Sequence, residues 1–196
     1  SPYNIVVAFI EDTNKYFEKI GLLSKRNINI PSTLYHFADR DLYYTNMKEF
    51  RKYPQFPSFV KPVFAKKFVA GVIKTQEQLD LFLKDVPDNE EIMVSDVVEF
   101  ISEYRGYVIN GELKGIYHYL GDFRIFPDMS VVDRMVAFYK ATPVGYALDV
   151  GITKDGKTLL VECNDGWSLG NYGLNHVTYS TLLGQRWIEL MKDINK

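Results

Sequence analysis

Two tight turn signals constrain the fold of this chain more than any other feature of its sequence. Each turn, Asn110-Gly111 or Asp155-Gly156, lies between two strand-like segments: Tyr104–Ile109 and Glu112–Tyr119, and Tyr146–Thr153 and Thr158–Cys163. Asn-Gly and Asp-Gly favour the turns with positive φ that join twisted antiparallel strands. The sequence therefore predicts two antiparallel hairpins.

The rest of the chain mixes strand and helix patterns. Further strands are predicted at Asn4–Ile10, Ser58–Val63, Lys67–Lys74 and Glu91–Val98, and helices after Asp12 or Thr13, after Thr75, at Val131–Thr142 and at Tyr179–Ile194. Residues 27–57 contain three prolines and are predicted to form short mixed elements. This order indicates an α+β protein, since the regular βαβ alternation of a Rossmann sheet is missing.

Composition sets the broad class. Hydrophobic residues make up 46% of the 196 residues and the formal net charge is −2, so no global field favours nucleic acid or an anionic membrane as a partner. The 14 Tyr and 13 Phe indicate an aromatic core. The single Cys163 fits a reducing compartment, and we expect a cytoplasmic protein without a signal peptide or membrane span.

The second hairpin is acidic. Asp149 lies in its first strand, while Glu162 and Asn164 lie two residues apart in its second and share a face. Such a cluster is costly among apolar neighbours unless a cation lies between its members, and oxygen ligands favour Mg²⁺, or alternatively Mn²⁺. A hairpin whose charged residues lie on a solvated face explains the spacing equally well.

Lys61 and Lys67 lie in and at the start of two adjacent predicted strands. A lysine within an apolar strand either protects an exposed sheet edge or binds phosphate. Two ammonium groups on neighbouring strands repel each other unless an anion lies between them. The phosphate loop sequence G-x-x-x-x-G-K-[ST] is absent.

Glu103 and Arg105 are predicted to share a face of one strand. They either form an acid–base pair that supports the structure, or provide a ribose-binding carboxylate beside a phosphate-binding guanidinium.

These strings resemble the ATP-grasp superfamily over roughly residues 57–175: FVKP with the following KKF, the hinge-like IMVSDVVEF, EYRGYV, and LDVGI with LLVECND. The pattern is most similar to the short clade named for one arginine and two lysines, placed here on Arg105, Lys61 and Lys67. GWSLGNYGL is also similar to that clade's signature.

The resemblance implies two α+β subdomains that clasp ATP. Lys61 and Lys67 would hold the phosphates, the backbone at Ser95, Asp96 and Val97 would contact adenine, and Glu103 would bind ribose. Asp149, Glu162 and Asn164 would hold the Mg²⁺ ions. The activity usual in the family is the ATP-dependent joining of a carboxylate to an amine, here on small-molecule or peptide substrates.

Two features depart from the family pattern. Many members carry an arginine where this chain has Tyr117–Tyr119, and Arg124 from the next loop is the candidate catalytic replacement beside Arg105. The N-terminal region, 1–56, is predicted to be a reduced pre-ATP-grasp region. It precedes an ATP-grasp domain at 57–196, divided into a lid-like part, 57–97, and a metal-binding part, 98–196.

The loop from Gly166 to Gly173 follows the acidic strand. It either reverses the chain or faces the acceptor substrate with Ser168 and Asn171. Cys163 is predicted to be a buried apolar residue on the opposite face of its strand. Two further functions are open besides ligation: a non-catalytic nucleotide-binding or protein-interaction module, and a phosphotransferase.

Overall fold

The computed structural model describes residues 5–22, 27–64 and 67–192. They belong to two compact units, one drawn from Ser1–Asp39 and Glu99–Lys196 and the other from Arg40–Val98. The chain therefore passes from one unit to the other within the hinge-like IMVSDVVEF string. The predicted lid-like part, 57–97, falls inside the second unit, and its division from the rest stays a prediction.

The second unit is an antiparallel sheet with two short helices. Its elements are β1 (Leu42–Asn46), α1 (Met47–Lys52), β2 (Ser58–Pro62), β3 (Gly71–Ile73), α2 (Gln76–Phe82) and β4 (Glu91–Ser95), with the strands in the order β1-β4-β2-β3. Met47, Phe50, Leu79, Ile92 and Val94 form the centre of its core. The predicted cap is confirmed, because the Thr75 side chain accepts a hydrogen bond from the Gln78 amide.

The first unit contains the two hairpins. Its elements are α3 (Ile10–Lys19), a 3₁₀ turn (Ser32–Leu34), α4 (Tyr35–Ala38), β5 (Phe100–Ile109), β6 (Glu112–Gly121), α5 (Met129–Phe138), β7 (Gly145–Thr153), β8 (Thr158–Asp165) and α6 (His176–Lys192). The antiparallel sheet has the order β6-β5-β7-β8. Asn110 and Gly111 have φ of 52° and 76°, as the predicted tight turn requires. Both hairpins are confirmed.

The two faces of this sheet are covered differently. On one face Tyr146, Leu148 and Val150 are fully buried, and Cys163 lies directly across from Leu148. On the other face Tyr107 and Ala147 pack with residues of α6 and of the loop before it: Leu169, Leu174, Leu182 and Leu183. Along β5 and β7, Arg105 and Asp149 follow on this second face, which therefore carries the acidic hairpin residues.

The predicted strand at Asn4–Ile10 is wrong over the described residues. Residues 5–9 form no strand, and Ile10 already begins α3, two residues before the expected cap at Asp12. Val6 and Ile10 pack instead against an aromatic cluster that includes Phe17, Trp167 and Trp187. A short apolar run can be stabilised by packing on side chains as well as by a strand ladder, so the pattern alone was ambiguous.

The predicted strand at Lys67–Lys74 is shorter than expected. The ladder with β2 pairs only Ser58, Phe59 and Val60 with residues of β3, which begins at Gly71. Lys67 therefore lies in a bend before the strand, and the arrangement of two lysines on adjacent strands is corrected. Residues 65 and 66 of the predicted turn lie outside the described residues.

Membrane-spanning helices were a predicted absence. Within residues 5–22, 27–64 and 67–192, no helix has both the length and the apolar character needed to cross a bilayer.

Gly166 lies where β8 ends, and its lack of a side chain allows a close backbone approach. A Cβ there would lie 2.3 Å from the Gly145 carbonyl oxygen. Gly166→Ala is expected to lower the free energy of unfolding by about 1–3 kcal/mol, because backbone must move to accommodate the methyl group. Urea unfolding measures this, and Gly170→Ala is the control, since its nearest neighbour would be the Tyr172 ring at 3.5 Å. Equal stability of the two variants would contradict the prediction.

Candidate functional site

Three neighbouring strands place charged side chains in a row across one face of the sheet. Arg105 on β5 pairs in register with Asp149 on β7, and Asp149 pairs with Glu162 on β8. Because residues directly opposite each other share a face, the three side chains are neighbours. Asn164, two residues after Glu162, joins them. We call Asp149, Glu162 and Asn164 the acidic row.

Hydrogen bonds connect the members of the row with Arg105. The Arg105 guanidinium donates from Nε to Asp149 Oδ1 at 2.7 Å and from Nη2 to Asp149 Oδ2 at 2.6 Å. Asn164 Nδ2 donates to Asp149 Oδ2 at 3.0 Å and to Glu162 Oε1 at 3.1 Å. The Asp149 side chain is only 2% exposed, so these contacts replace water.

Burial and charge act against each other at this site. Burial raises the pKa of Asp149 to about 6 although Arg105 lowers it, while Glu162 and Glu103 raise it further. Burial lowers the pKa of Arg105, but its hydrogen bonds to Asp149 raise it by more, and the net shift is upward. The site therefore gathers more negative charge than Arg105 alone offsets.

Two tyrosines lie beside Arg105. The Arg105 guanidinium carbon is 5.1 Å from the centre of the Tyr172 ring and 5.9 Å from that of Tyr119, and the two rings stack with centres 5.2 Å apart. The Tyr119 hydroxyl donates to Glu103 Oε2 at 2.5 Å. Arg105 thus bonds to Asp149 and not to Glu103, and the predicted alternative of a Glu103–Arg105 ion pair is not the one observed.

The Gly166–Gly173 loop is held by its own hydrogen bonds. Tyr107 OH donates to the Gly170 carbonyl at 2.6 Å and accepts from the Tyr172 amide at 3.0 Å, which fixes Tyr172 beside Arg105. The Ser168 hydroxyl donates to the Ala8 carbonyl at 3.3 Å. Asn171 donates to the Leu174 carbonyl and accepts from the Gly173 amide. These contacts favour a structural role for both residues, and their substrate-binding role stays a prediction.

The residues present fit a magnesium ion in donor type. In the described part of the chain, no three His, Cys, Asp or Glu side chains form a metal-holding group. Mg²⁺, however, commonly takes one or two carboxylates and completes its shell with water and phosphate oxygens. Asp149 and Glu162 supply two carboxylates, and Asn164 would supply an oxygen after its amide turns over, since its NH₂ group now faces both of them.

The predicted phosphate and adenine residues lie in the second unit. Lys61 is half-buried on β2 opposite Met93, and β2 is an internal strand with β4 and β3 on its two sides, so a lysine guarding a sheet edge is not the arrangement found. Ser95 ends β4 and donates to the Asp96 carbonyl, and Asp96 pairs with Asp41 through backbone and side chain. The ligand roles of Lys61, Lys67, Ser95, Asp96 and Val97 stay predictions.

Arg124 is held away from the row. Its guanidinium donates twice to Asp122, and its side chain is 76% exposed. The loop that carries it is anchored by Tyr104 OH to the Phe123 carbonyl, on the face of β5 opposite Arg105. The structure does not bring Arg124 together with Arg105, and its catalytic role stays a prediction.

The sequence analysis did not identify the tyrosines of the site. Tyr119 was noted only as a departure from the family pattern, and Tyr107 and Tyr172 were counted with the core. Tyr119 lies at an irregularity in the β5–β6 ladder, between the pairs Glu103–Leu120 and Tyr104–His118. Cys163, in contrast, is buried on the opposite face as predicted, and burial raises the pKa of its thiol well above the ordinary value.

Comparisons with known proteins give the family. The model of an ATP-grasp domain, family 2 of the clade named for one arginine and two lysines, matches residues 37–182. A comparison with curated proteins found no match.

Solved structures share the fold at low identity. N5-carboxyaminoimidazole ribonucleotide synthetase in complex with ADP has a TM-score of 0.56 at 15% identity, over 86% of this chain and 54% of that one. D-alanine–D-alanine ligase from Bacillus anthracis complexed with ATP has a TM-score of 0.54 at 15% identity, over 93% and 73%. N5-carboxyaminoimidazole synthase from Aspergillus clavatus has 0.54 at 12%, over 91% and 50%.

The chain spans about half the length of the two synthases and 73% of the length of the ligase. The likeness therefore concerns the fold. Because the family match extends over most of the sequence, the chain belongs to the ATP-grasp superfamily, in family 2 of the clade named for one arginine and two lysines.

Proposed function

We propose that this protein binds Mg·ATP and uses it to join a carboxylate to an amine. The observation that carries the proposal is the acidic row, whose two carboxylates and one carboxamide lie on adjacent strands, with Asp149 buried, in a chain of the ATP-grasp superfamily. Buried carboxylates are costly unless a cation or hydrogen-bond donors compensate them. A bound Mg²⁺ would supply positive charge to the phosphates of ATP.

In this proposal the γ-phosphoryl group passes to a substrate carboxylate, giving an acyl phosphate and ADP. The amine then attacks the acyl carbon, and inorganic phosphate leaves. The chain's own residues hold and neutralise charge: the acidic row toward the metal, Lys61 and Lys67 toward the phosphates, and Glu103 toward the ribose. Such positioning accounts for most of the catalysis in phosphoryl transfer.

Isothermal titration with ATP in the presence of Mg²⁺ tests the binding step. We expect the wild-type protein to bind and the Glu162→Ala and Lys61→Ala variants to bind at least about tenfold more weakly. Thr158→Ala, in β8 on the far side of the bulge from Glu162, serves as a folded control if its circular dichroism matches that of the wild type. Absence of binding to wild type, or equal binding by all variants, would refute the proposal.

The reaction type needs a second assay. Release of ADP and phosphate that depends on an added amine or peptide would support ligation and exclude a non-catalytic binding module. Mass spectrometry of the product separates ligation from simple phosphoryl transfer, because only a ligase loses the transferred phosphoryl group from its final product.

A further inference from the structure

We propose that Arg105 is a built-in counter-ion of the acidic row, a positioning residue that competes with a divalent cation for Asp149 and so sets the metal affinity. This inference rests on the proposed function, and it gives Arg105 a role different from that of a phosphate ligand alone.

The first observation is the geometry of the ion pair. Both Asp149 oxygens accept a guanidinium hydrogen bond, at 2.7 Å and 2.6 Å, in the two-pronged arrangement typical of arginine and carboxylate. A divalent cation on the same carboxylate must share or replace these contacts. It also meets the charge of Arg105 in a poorly solvated place, where like charges repel strongly. Arg105 therefore lowers the affinity of the row for metal.

The second observation is that Arg105 is held from another side as well. Tyr172 and Tyr119 stack on each other and lie beside the guanidinium, and attraction of a cation to an aromatic face is strengthened when water is excluded. Tyr172 is itself fixed through its amide to the Tyr107 hydroxyl. The guanidinium would therefore keep a favourable position when a metal ion takes over Asp149.

The third observation is a comparison within the same sheet. Arg186 on α6 binds Asp165, the last residue of β8, with two hydrogen bonds of 2.6 Å, and both side chains are 11% exposed. The residue across the strand from Asp165 is Tyr146, whereas Asp149 faces the carboxylate of Glu162. The two ion pairs have the same geometry, but only the Arg105 pair adjoins a second carboxylate across the strand.

The test measures Mn²⁺ binding by electron paramagnetic resonance, with the full chain and without nucleotide. Arg105→Met is expected to bind Mn²⁺ about tenfold more tightly than the wild type, at the lower end of the range over which outer-shell partners change metal affinity. Arg186→Met is the matched control and is expected to bind as the wild type does. Equal or weaker binding by Arg105→Met, including no binding by either protein, would overturn the inference.

Loss of a buried partner destabilises Arg105→Met, so a second variant guards against misfolding. Tyr172→Ala leaves the ion pair in place and removes a 45%-exposed ring beside the guanidinium. We expect a smaller rise in Mn²⁺ affinity for this variant, because Arg105 is then displaced more easily. No rise in a folded Tyr172→Ala protein would count against the proposal.

The inference and the proposed function can fail separately. If wild type binds Mg·ATP while the Mn²⁺ affinities of wild type and Arg105→Met are equal, the counter-ion role is wrong and the function stands. If Mg·ATP does not bind, the function is wrong, and the order of Mn²⁺ affinities still decides the role of Arg105.

Discussion

Replacement of Glu162 by Gln is expected to lower Mg²⁺-dependent ATP turnover by about 100-fold or more, the size of effect seen when a group that stabilises transition-state charge is removed. The change keeps the shape of the side chain and removes its negative charge. Asp149 would then be the sole carboxylate of the row, and a magnesium ion would lose one of two anionic ligands. Initial rates of ADP formation over a range of Mg²⁺ concentrations measure the effect.

The control for this experiment is Glu112→Gln in the first hairpin. Glu112 is 72% exposed and pairs with Lys114 on the same strand, so its removal is expected to leave turnover unchanged. A Glu162→Gln protein with wild-type turnover and wild-type dependence on Mg²⁺ would show that the acidic row does not bind the metal.

Replacement of Asp149 by Leu is expected to lower the free energy of unfolding by about 3–5 kcal/mol in the absence of metal, because Arg105 is left as an uncompensated buried charge. The side chains of the pair are only 12% and 2% exposed, so solvent screening is weak. The double variant Asp149→Leu with Arg105→Met is expected to recover most of this loss, since an apolar pair of similar volume carries no desolvation cost.

Urea unfolding in EDTA measures the two single variants and the double variant as a cycle. Asp122→Leu is the exposed counterpart, because Asp122 binds Arg124 with the same two-pronged geometry at the surface, and its unfolding midpoint is expected to stay nearly unchanged. If the double variant is no more stable than Asp149→Leu, the buried pair does not account for the loss.

Local sequence patterns predicted the hairpins because their signals are local. Asn110-Gly111 and Asp155-Gly156 specify tight turns, and a tight turn fixes which residues of two strands lie opposite each other. With alternation along the strand, this places Asp149 beside Glu162, puts Asn164 on the same face and turns Cys163 to the other. The resemblance carried by the FVKP, EYRGYV and LLVECND strings led to the family that the comparison then gave.

Two predictions failed because they depended on partners that the local pattern does not name. An apolar run at residues 5–10 packs on aromatic side chains, and the strand after Lys67 begins only where β2 supplies hydrogen-bond partners. Strand formation requires a neighbouring strand, and short apolar segments do not show whether one is present.

The acidic row itself was determined by the sequence, since one hairpin contains all of its members. The tertiary structure decided what surrounds it. Arg105 comes from another hairpin and takes Asp149 as its partner, although Glu103 lies two residues away on its own strand. Tyr119 and Tyr172 reach Arg105 through a ladder irregularity and a loop fixed by Tyr107. These contacts join residues far apart in the chain, and only the order of strands β6-β5-β7-β8 brings them within reach.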